Sequence, residues 1–180
     1  MLQRIRKCFN IKSAQLKNKV EVDEAFIGGK SKNAQGGKGK MVAFGMIERK
    51  GKLVAKVVKD RKRKTLEPEI FKHIDKGASV MTDELLSYKA LYQTFDHYSV
   101  NHSAKEYVNG AIHTNTIEGF WSIFKRGLLG IYHLVPKKHL QKYLDEFVFR
   151  YNTKDYTEQE RFNYFFANMQ NRLRYKELIT

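Results

Sequence analysis

Apolar and polar positions change rhythm several times along this chain, and each change marks an element. Leu2, Ile5 and Phe9 recur at helical spacing within residues 1–19, a stretch with six basic side chains and no acid, which predicts a short helix in a basic arm. From Val20 the period shortens to two. VEVDEAFIG ends in Gly28 and Gly29, a Gly- and Lys-bearing loop runs to Lys40, and MVAFGMIER and KLVAKVV flank a charged turn at Gly51. Residues 20–58 therefore predict three antiparallel strands. The run KDRKRK breaks this pattern, and Thr65, with Pro68 in the first turn, opens a helix that Gly77 ends. ASVMTD reads as a short apolar strand, YKALYQTF as a helix and HYSVNH as another strand. The rest reads as helices over residues 115–129, 137–151 and about 158–176, each with an apolar face. The order predicts an α/β fold: a mixed sheet of three antiparallel strands then two parallel ones, with flanking helices and a helical C-terminal extension. The expected divisions are residues 1–19, 20–155 and 156–180.

Composition narrows the partner. The 34 Lys and Arg against 19 Asp and Glu give a net charge of +15, which points to a polyanion, with nucleic acid first. Cys8 is the only cysteine, so an internal disulfide and a Cys-rich zinc site are excluded. No apolar run approaches the roughly 20 residues of a membrane span, and the N-terminus lacks a secretory apolar core. A cytoplasmic, nucleoid-associated location is the expectation.

Three acids carry the candidate chemistry: Asp23 in VEVDEAFIGGK, Asp83 in VMTDELLSY and Glu118 in HTNTIEGFWSIFKRG. Each has a plain alternative. Asp23 shares a strand face with Glu21 and could belong to a solvated edge. Asp83 suits the N-cap of a helix, and Asn115-x-x-Glu118 resembles a capping box. Glu118, Ser122 and Lys125 fall on one polar stripe, opposite an apolar stripe of Ile117, Trp121, Phe124 and Leu128. Together the acids could bind hard divalent cations, two of which about 3.5 to 4 Å apart can activate a nucleophile and stabilise a leaving oxygen. His97, His102 and His113 lack close zinc-motif spacing and suit packing or phosphate contact. Phe120 and Trp121 could approach DNA, but their helical spacing favours a core role.

The segments VEVDEAFIGGK, MTDELLSY, VNHSAKEYVNG and HTNTIEGFWSIFKRGLLGIYHLVPKKHLQKYLDEFVFRYN resemble the catalytic domain of bacterial insertion-sequence transposases of the DDE superfamily, related to the eukaryotic Merlin elements. The resemblance runs from about Val20 to Asn152. It implies an RNase H-like fold for residues 20–155, Asp23, Asp83 and Glu118 as catalytic ligands of Mg²⁺ or Mn²⁺, and strand nicking followed by strand transfer. It implies double-stranded DNA, as element ends and target, for partner, and a homo-oligomer on paired ends. Lys125 matches a basic DNA-contacting residue seven positions after the glutamate, and Asn115 competes with Glu118 as third ligand. Arg126, Lys62, Arg63 and Lys64 are further candidates for phosphate contact. Such transposases usually begin with a zinc ribbon and a helix-turn-helix, so residues 1–19 are expected to be the tail of a truncated recognition region. A non-cleaving DNA-binding remnant and a general RNase H-like nuclease are the rival expectations.

Overall fold

A computed structural model describes residues 2–10, 15–28, 40–83, 85–88, 90–100, 113–133 and 135–169. Helix α1 (Leu2–Lys7) precedes three long strands, β1 (Lys19–Ile27), β2 (Met41–Glu48) and β3 (Leu53–Val58). Helix α2 (Arg63–His73) leads to β4 (Ser79–Thr82) and, past two short 3-10 turns, to β5 (Asp96–Ser99). Helices α3 (Asn115–Gly127), α4 (Leu140–Asn152) and α5 (Glu158–Ala167) complete the described chain.

The five strands form one mixed sheet in the spatial order β3-β2-β1-β4-β5. The order in space thus differs from the order along the chain: β1 is central, antiparallel to β2 and parallel to β4. β2 and β3 pair antiparallel, and β4 and β5 pair parallel. A central first strand accounts for its buried apolar residues on both faces.

Period-2 geometry divides β1 between two cores. Val20 and Val22 join Phe44, Met46, Leu66, Ile70 and Tyr88 on one face. Ala25 and Ile27 join Ile47, Ile117, Trp121, Phe124 and Leu144 on the other. Glu21 and Asp23 share parity with Ala25, so β1 offers both acids to the face that α3 covers.

Three expected elements are corrected. YKALYQTF begins at the end of one short 3-10 turn, Leu86–Tyr88, and contains a second, Leu91–Gln93, rather than one helix. Helix α2 begins at Arg63, two residues before Thr65, because the Asp60 carboxylate accepts from Lys62 N at 3.0 Å and Thr65 Oγ1 at 2.6 Å and so organises its first turn. Helix α3 runs into a π-helical turn, Leu128–Tyr132. The last helix extends through Ala167, and residues 170–176 of the expected helix lie outside the described residues.

Helix α1 is packed on the body. Arg6 Nε donates to Glu146 Oε2 of α4 at 2.9 Å, and the guanidinium lies over the rings of Tyr132 and Tyr143, 4.9 and 4.2 Å from their centroids. Among the described residues no helix is long and apolar enough to cross a membrane.

Candidate active site

The parallel register of β1 and β4 places Asp23 and Asp83. Lys19 pairs with Ser79, Val20 with Val80 and Glu21 with Met81, an offset of 60 residues at every step. Asp23 and Asp83 are separated by the same 60, and each lies two residues beyond the last pair, Asp23 within β1 and Asp83 just past the end of β4. The Asp83 charge contributes to raising the Asp23 carboxyl, so the two acids lie near one another. Asp83 also shapes the chain that follows: its Oδ1 accepts from Leu85 N at 3.0 Å, and its carbonyl accepts from Thr82 Oγ1 and Ser99 Oγ. The expected capping role is therefore an Asx turn leading into a 3-10 turn.

Glu118 approaches from α3, and the residue that fixes α3 is one to which the sequence pattern gave no role. The Glu21 carboxylate is fully buried. Its Oε2 accepts from Thr116 N at 2.9 Å and Ile117 N at 3.1 Å, two N–H groups that the first turn of α3 leaves without intrahelical partners. Its Oε1 accepts from Thr116 Oγ1 at 2.9 Å and Arg49 Nε at 2.6 Å, and His113 Nδ1 stands 3.3 Å away. A carboxylate at a helix N-terminus is favoured by charge-assisted hydrogen bonds and by the helix dipole. Glu21 therefore ties α3 to the strand that carries Asp23, on the same strand face.

The expected capping box at Asn115 is absent. Thr114 is the N-cap, without a side-chain cap bond, and Asn115 is the first helical residue with an exposed side chain. Thr114 Oγ1 instead donates to Glu118 Oε1 at 2.7 Å. The physical reason is that Asn115 lies inside the helix rather than at its N-cap, and the Glu118 N–H that such a box would bind donates to the Thr114 carbonyl at 3.1 Å.

The two stripes of α3 lie as their spacing predicts. Ile117, Phe120, Trp121 and Phe124 are buried against the sheet and α4, whereas Glu118, Ser122, Lys125 and Arg126 are exposed. Close approach depends on Gly45, which pairs with Asp23 across β1 and β2. A Cβ there would lie 2.7 Å from Trp121 Cζ2 and 3.0 Å from Ile117 Cδ1. The bare backbone beside Asp23 is thus the bed on which the helix bearing Glu118 rests.

Electrostatics ties the acids together. Burial, aided by the neighbouring charges of Glu24, Asp83 and Glu118, pushes the half-buried Asp23 carboxyl up to about 7. Glu24, on the other face of β1, is also raised, first by burial, although Tyr88 Oη donates to it at 2.6 Å and Arg61 Nη1 stands 3.3 Å away. Tyr88 in turn is pushed well above its ordinary value by burial and by these carboxylates. Carboxylates crowded enough to hold back ionisation are stabilised by a cation. The donors are all oxygens, the set that Mg²⁺ and Mn²⁺ prefer. Among the described residues no three His, Cys, Asp or Glu side chains are oriented closely enough to grip an ion. The donor chemistry and mutual repulsion fit a hard divalent cation.

The remaining candidates are dispersed. Lys62, Arg63 and Lys64 are exposed where α2 begins, with Arg63 bound to Glu67 in the same helix. His97 Nε2 lies 2.9 Å from Thr82 Oγ1, a packing contact between β4 and β5, and its pKa is lowered by burial. His102 and the VNHSAKEYVNG block from Asn101 onward lie outside the described residues. Sequence reasoning missed Glu21, Arg49 and Gly45. The available signal for Glu21 was its shared parity with Asp23; its partners, 28 and about 95 residues away, left no local pattern.

A solved structure of the simian T-cell lymphotropic virus intasome in complex with PP2A regulatory subunit B56 gamma aligns over 78% of this chain and 50% of that chain, at 12% identity and a TM-score of 0.45. This chain thus spans half the length of that one. An uncharacterized transposase-like protein of Haemophilus influenzae is 32% identical over 111 residues, covering 61% of this chain and 89% of that relative. Residues 15–152, which contain the central sheet, Asp23, Asp83, Glu118 and α4, match the ISXO2-like transposase domain, and the chain belongs to that transposase family.

Proposed function

We propose that this chain is a DDE-type transposase catalytic domain of RNase H-like fold, which nicks DNA at the end of an insertion sequence and transfers the freed strand to target DNA. The observation that carries the reading is the coincidence of the β1–β4 register offset with the Asp23–Asp83 separation, together with the tether from Glu21 that holds the first turn of α3, the helix bearing Glu118, against β1. The mixed sheet with β1 at its centre supports the fold assignment. Membership in a transposase family supports DNA as substrate.

Asp23, Asp83 and Glu118 would hold Mg²⁺ or Mn²⁺, which supplies activation of the attacking oxygen and stabilisation of the leaving oxygen. Glu21 and Gly45 position α3, and Glu24 with Tyr88 and Arg61 buttresses β1 from behind. Lys125 and Arg126 extend from α3 on the solvent side and would hold the strand by its phosphates, without reading bases. In the first step water attacks the phosphodiester and leaves a 3′-OH; in the second that 3′-OH attacks a target phosphodiester and displaces its 3′ oxygen. A dimer or larger assembly on paired ends belongs to the same reading.

The test is nicking of duplex DNA bearing the element's ends in Mg²⁺. Asp23→Ala, Asp83→Ala and Glu118→Ala should each abolish it, while Asn115→Ala should retain it. Undiminished cleavage in the three acid variants would overturn the assignment. Salt-sensitive DNA binding without cleavage in Mg²⁺ or Mn²⁺ would mark a non-catalytic remnant, and preferential cleavage of an RNA–DNA hybrid would mark a general nuclease.

A further inference from the structure

Beyond the carboxylates, α3, its π-helical extension and α4 enclose an open groove of about 630 Å³. The half-buried rings of Phe147 and Tyr151 line it, with the buried Phe120 beneath them. Ile123 and Ile131 stand at its sides, 52% and 67% exposed, far more than packing alone requires. The charged residues lining it are all cations, Arg126, Arg150 and Lys154. Lys154 Nζ lies 4.7 Å from the Tyr151 ring centroid.

The groove is held in shape from below. Tyr132 Oη donates to Glu146 Oε1 at 2.9 Å, and Arg6 stacks on the same tyrosine while pairing with Glu146. Arg150 Nη2 also donates to Glu146 at 2.9 Å, yet the Arg150 side chain stays 64% exposed, so its charge faces outward. Gly127 lets the floor close: a Cβ there would meet Phe147 Cζ at 2.3 Å.

An apolar aromatic floor beneath a purely cationic rim has the chemistry that single-stranded nucleic acid recognises, because bases stack on rings while phosphates meet Lys and Arg.

We propose that this groove is a pocket for one or two unpaired nucleotides of a DNA strand. The inference deepens the transposase reading and rests on it for DNA as the ligand. It implies that part of the bound DNA is engaged with its bases unpaired.

The probe is a fluorescein-labelled oligothymidylate, followed by anisotropy in EDTA, so that the readout is independent of cleavage. Ile131→Glu places a negative charge at an exposed position of the groove and should weaken oligothymidylate binding at least about tenfold, with thermal melting unchanged. Ile131→Ala should weaken it by a smaller factor. Binding of a blunt, fully paired duplex should change less than twofold in both. Unchanged oligothymidylate affinity in both variants would overturn the proposal. So would equal losses for oligothymidylate and duplex, which would assign the groove to general electrostatics. A fall from dimer to monomer in sedimentation, with oligothymidylate affinity intact, would overturn it in favour of a second copy of this chain. Loss of nicking in the Asp23, Asp83 and Glu118 variants is read separately, so either proposal can fail without the other.

Discussion

At the scale of single residues, β1 contains two acids on one face with opposite tasks. Glu21 is fully compensated: two backbone N–H groups, a hydroxyl and a guanidinium surround it. Asp23 is left facing other carboxylates. Its pKa near 7, against the ordinary Asp value near 3.9, means that the folded state keeps a proton that the unfolded chain releases. Metal-free stability should therefore fall as pH rises from about 4 towards 7, with the full cost present above that window. Asp23→Asn should stabilise the metal-free protein at pH 8 by on the order of 3 kcal/mol, and the gain should vanish near pH 4. Chemical denaturation in EDTA at the two pH values checks this; a variant less stable than wild type at pH 8 would contradict it. Glu21→Gln should behave in the opposite way, losing about 1–3 kcal/mol because it weakens charge-assisted bonds to α3 and leaves Arg49 without its carboxylate partner at Glu21. The same denaturation series reports it.

At the scale of elements, the contact between α3 and the sheet decides whether Glu118 reaches the other acids. Gly45 sits at that contact, and the atoms a Cβ would meet belong to a packed indole and to Ile117. Gly45→Ala should cost about 1–3 kcal/mol through overpacking and should depress nicking as α3 is pushed away; thermal melting and a nicking assay on one preparation measure both. Much of this level was legible in the sequence. The three long strands announced themselves because alternation, turn glycines and length agree, and the apolar stripe of α3 because Ile117, Trp121 and Phe124 repeat at 3.6-residue spacing. The reading failed where the determinant is distant. The residues from Tyr88 to Phe95 have a helical pattern but hold only the 3-10 turn Leu91–Gln93, after a first turn ending at Tyr88, between two adjacent parallel strands. The capping signal at Asn115 and Glu118 failed because the helix takes Thr114 as its N-cap, and Glu21, which binds the N–H groups of Thr116 and Ile117, says nothing of α3 by its chain position. The separation of 60 between Asp23 and Asp83 gains its meaning only from the β1–β4 register, which carries the same offset.

At the scale of the whole molecule, the net charge of +15 is spread over more than one surface. Lys62, Arg63 and Lys64 lie at the start of α2, and Lys125 and Arg126 on α3, all exposed. If the α2 cluster holds phosphates, replacing Lys62 and Lys64 together by Gln should lower the slope of log affinity against log salt by about 2, at roughly 0.9 per phosphate contact. A fluorescence titration of duplex DNA over a salt series reads that slope, and an unaltered slope would remove this cluster from the interface. Helix α1 is joined to α4 through Arg6 and Glu146, so the basic N-terminal segment is part of the body around the groove as well as a source of charge.

The central claim is that Asp23, Asp83 and Glu118 make one cation site, and the most direct measurement is Mn²⁺ binding followed by electron paramagnetic resonance. Wild-type protein should sequester Mn²⁺ from solution. Asp23→Asn, Asp83→Asn and Glu118→Gln should each weaken that binding at least about tenfold, while Asn115→Ala should bind as wild type does. Mn²⁺ affinity unchanged by Glu118→Gln, or lost in Asn115→Ala, would contradict the account.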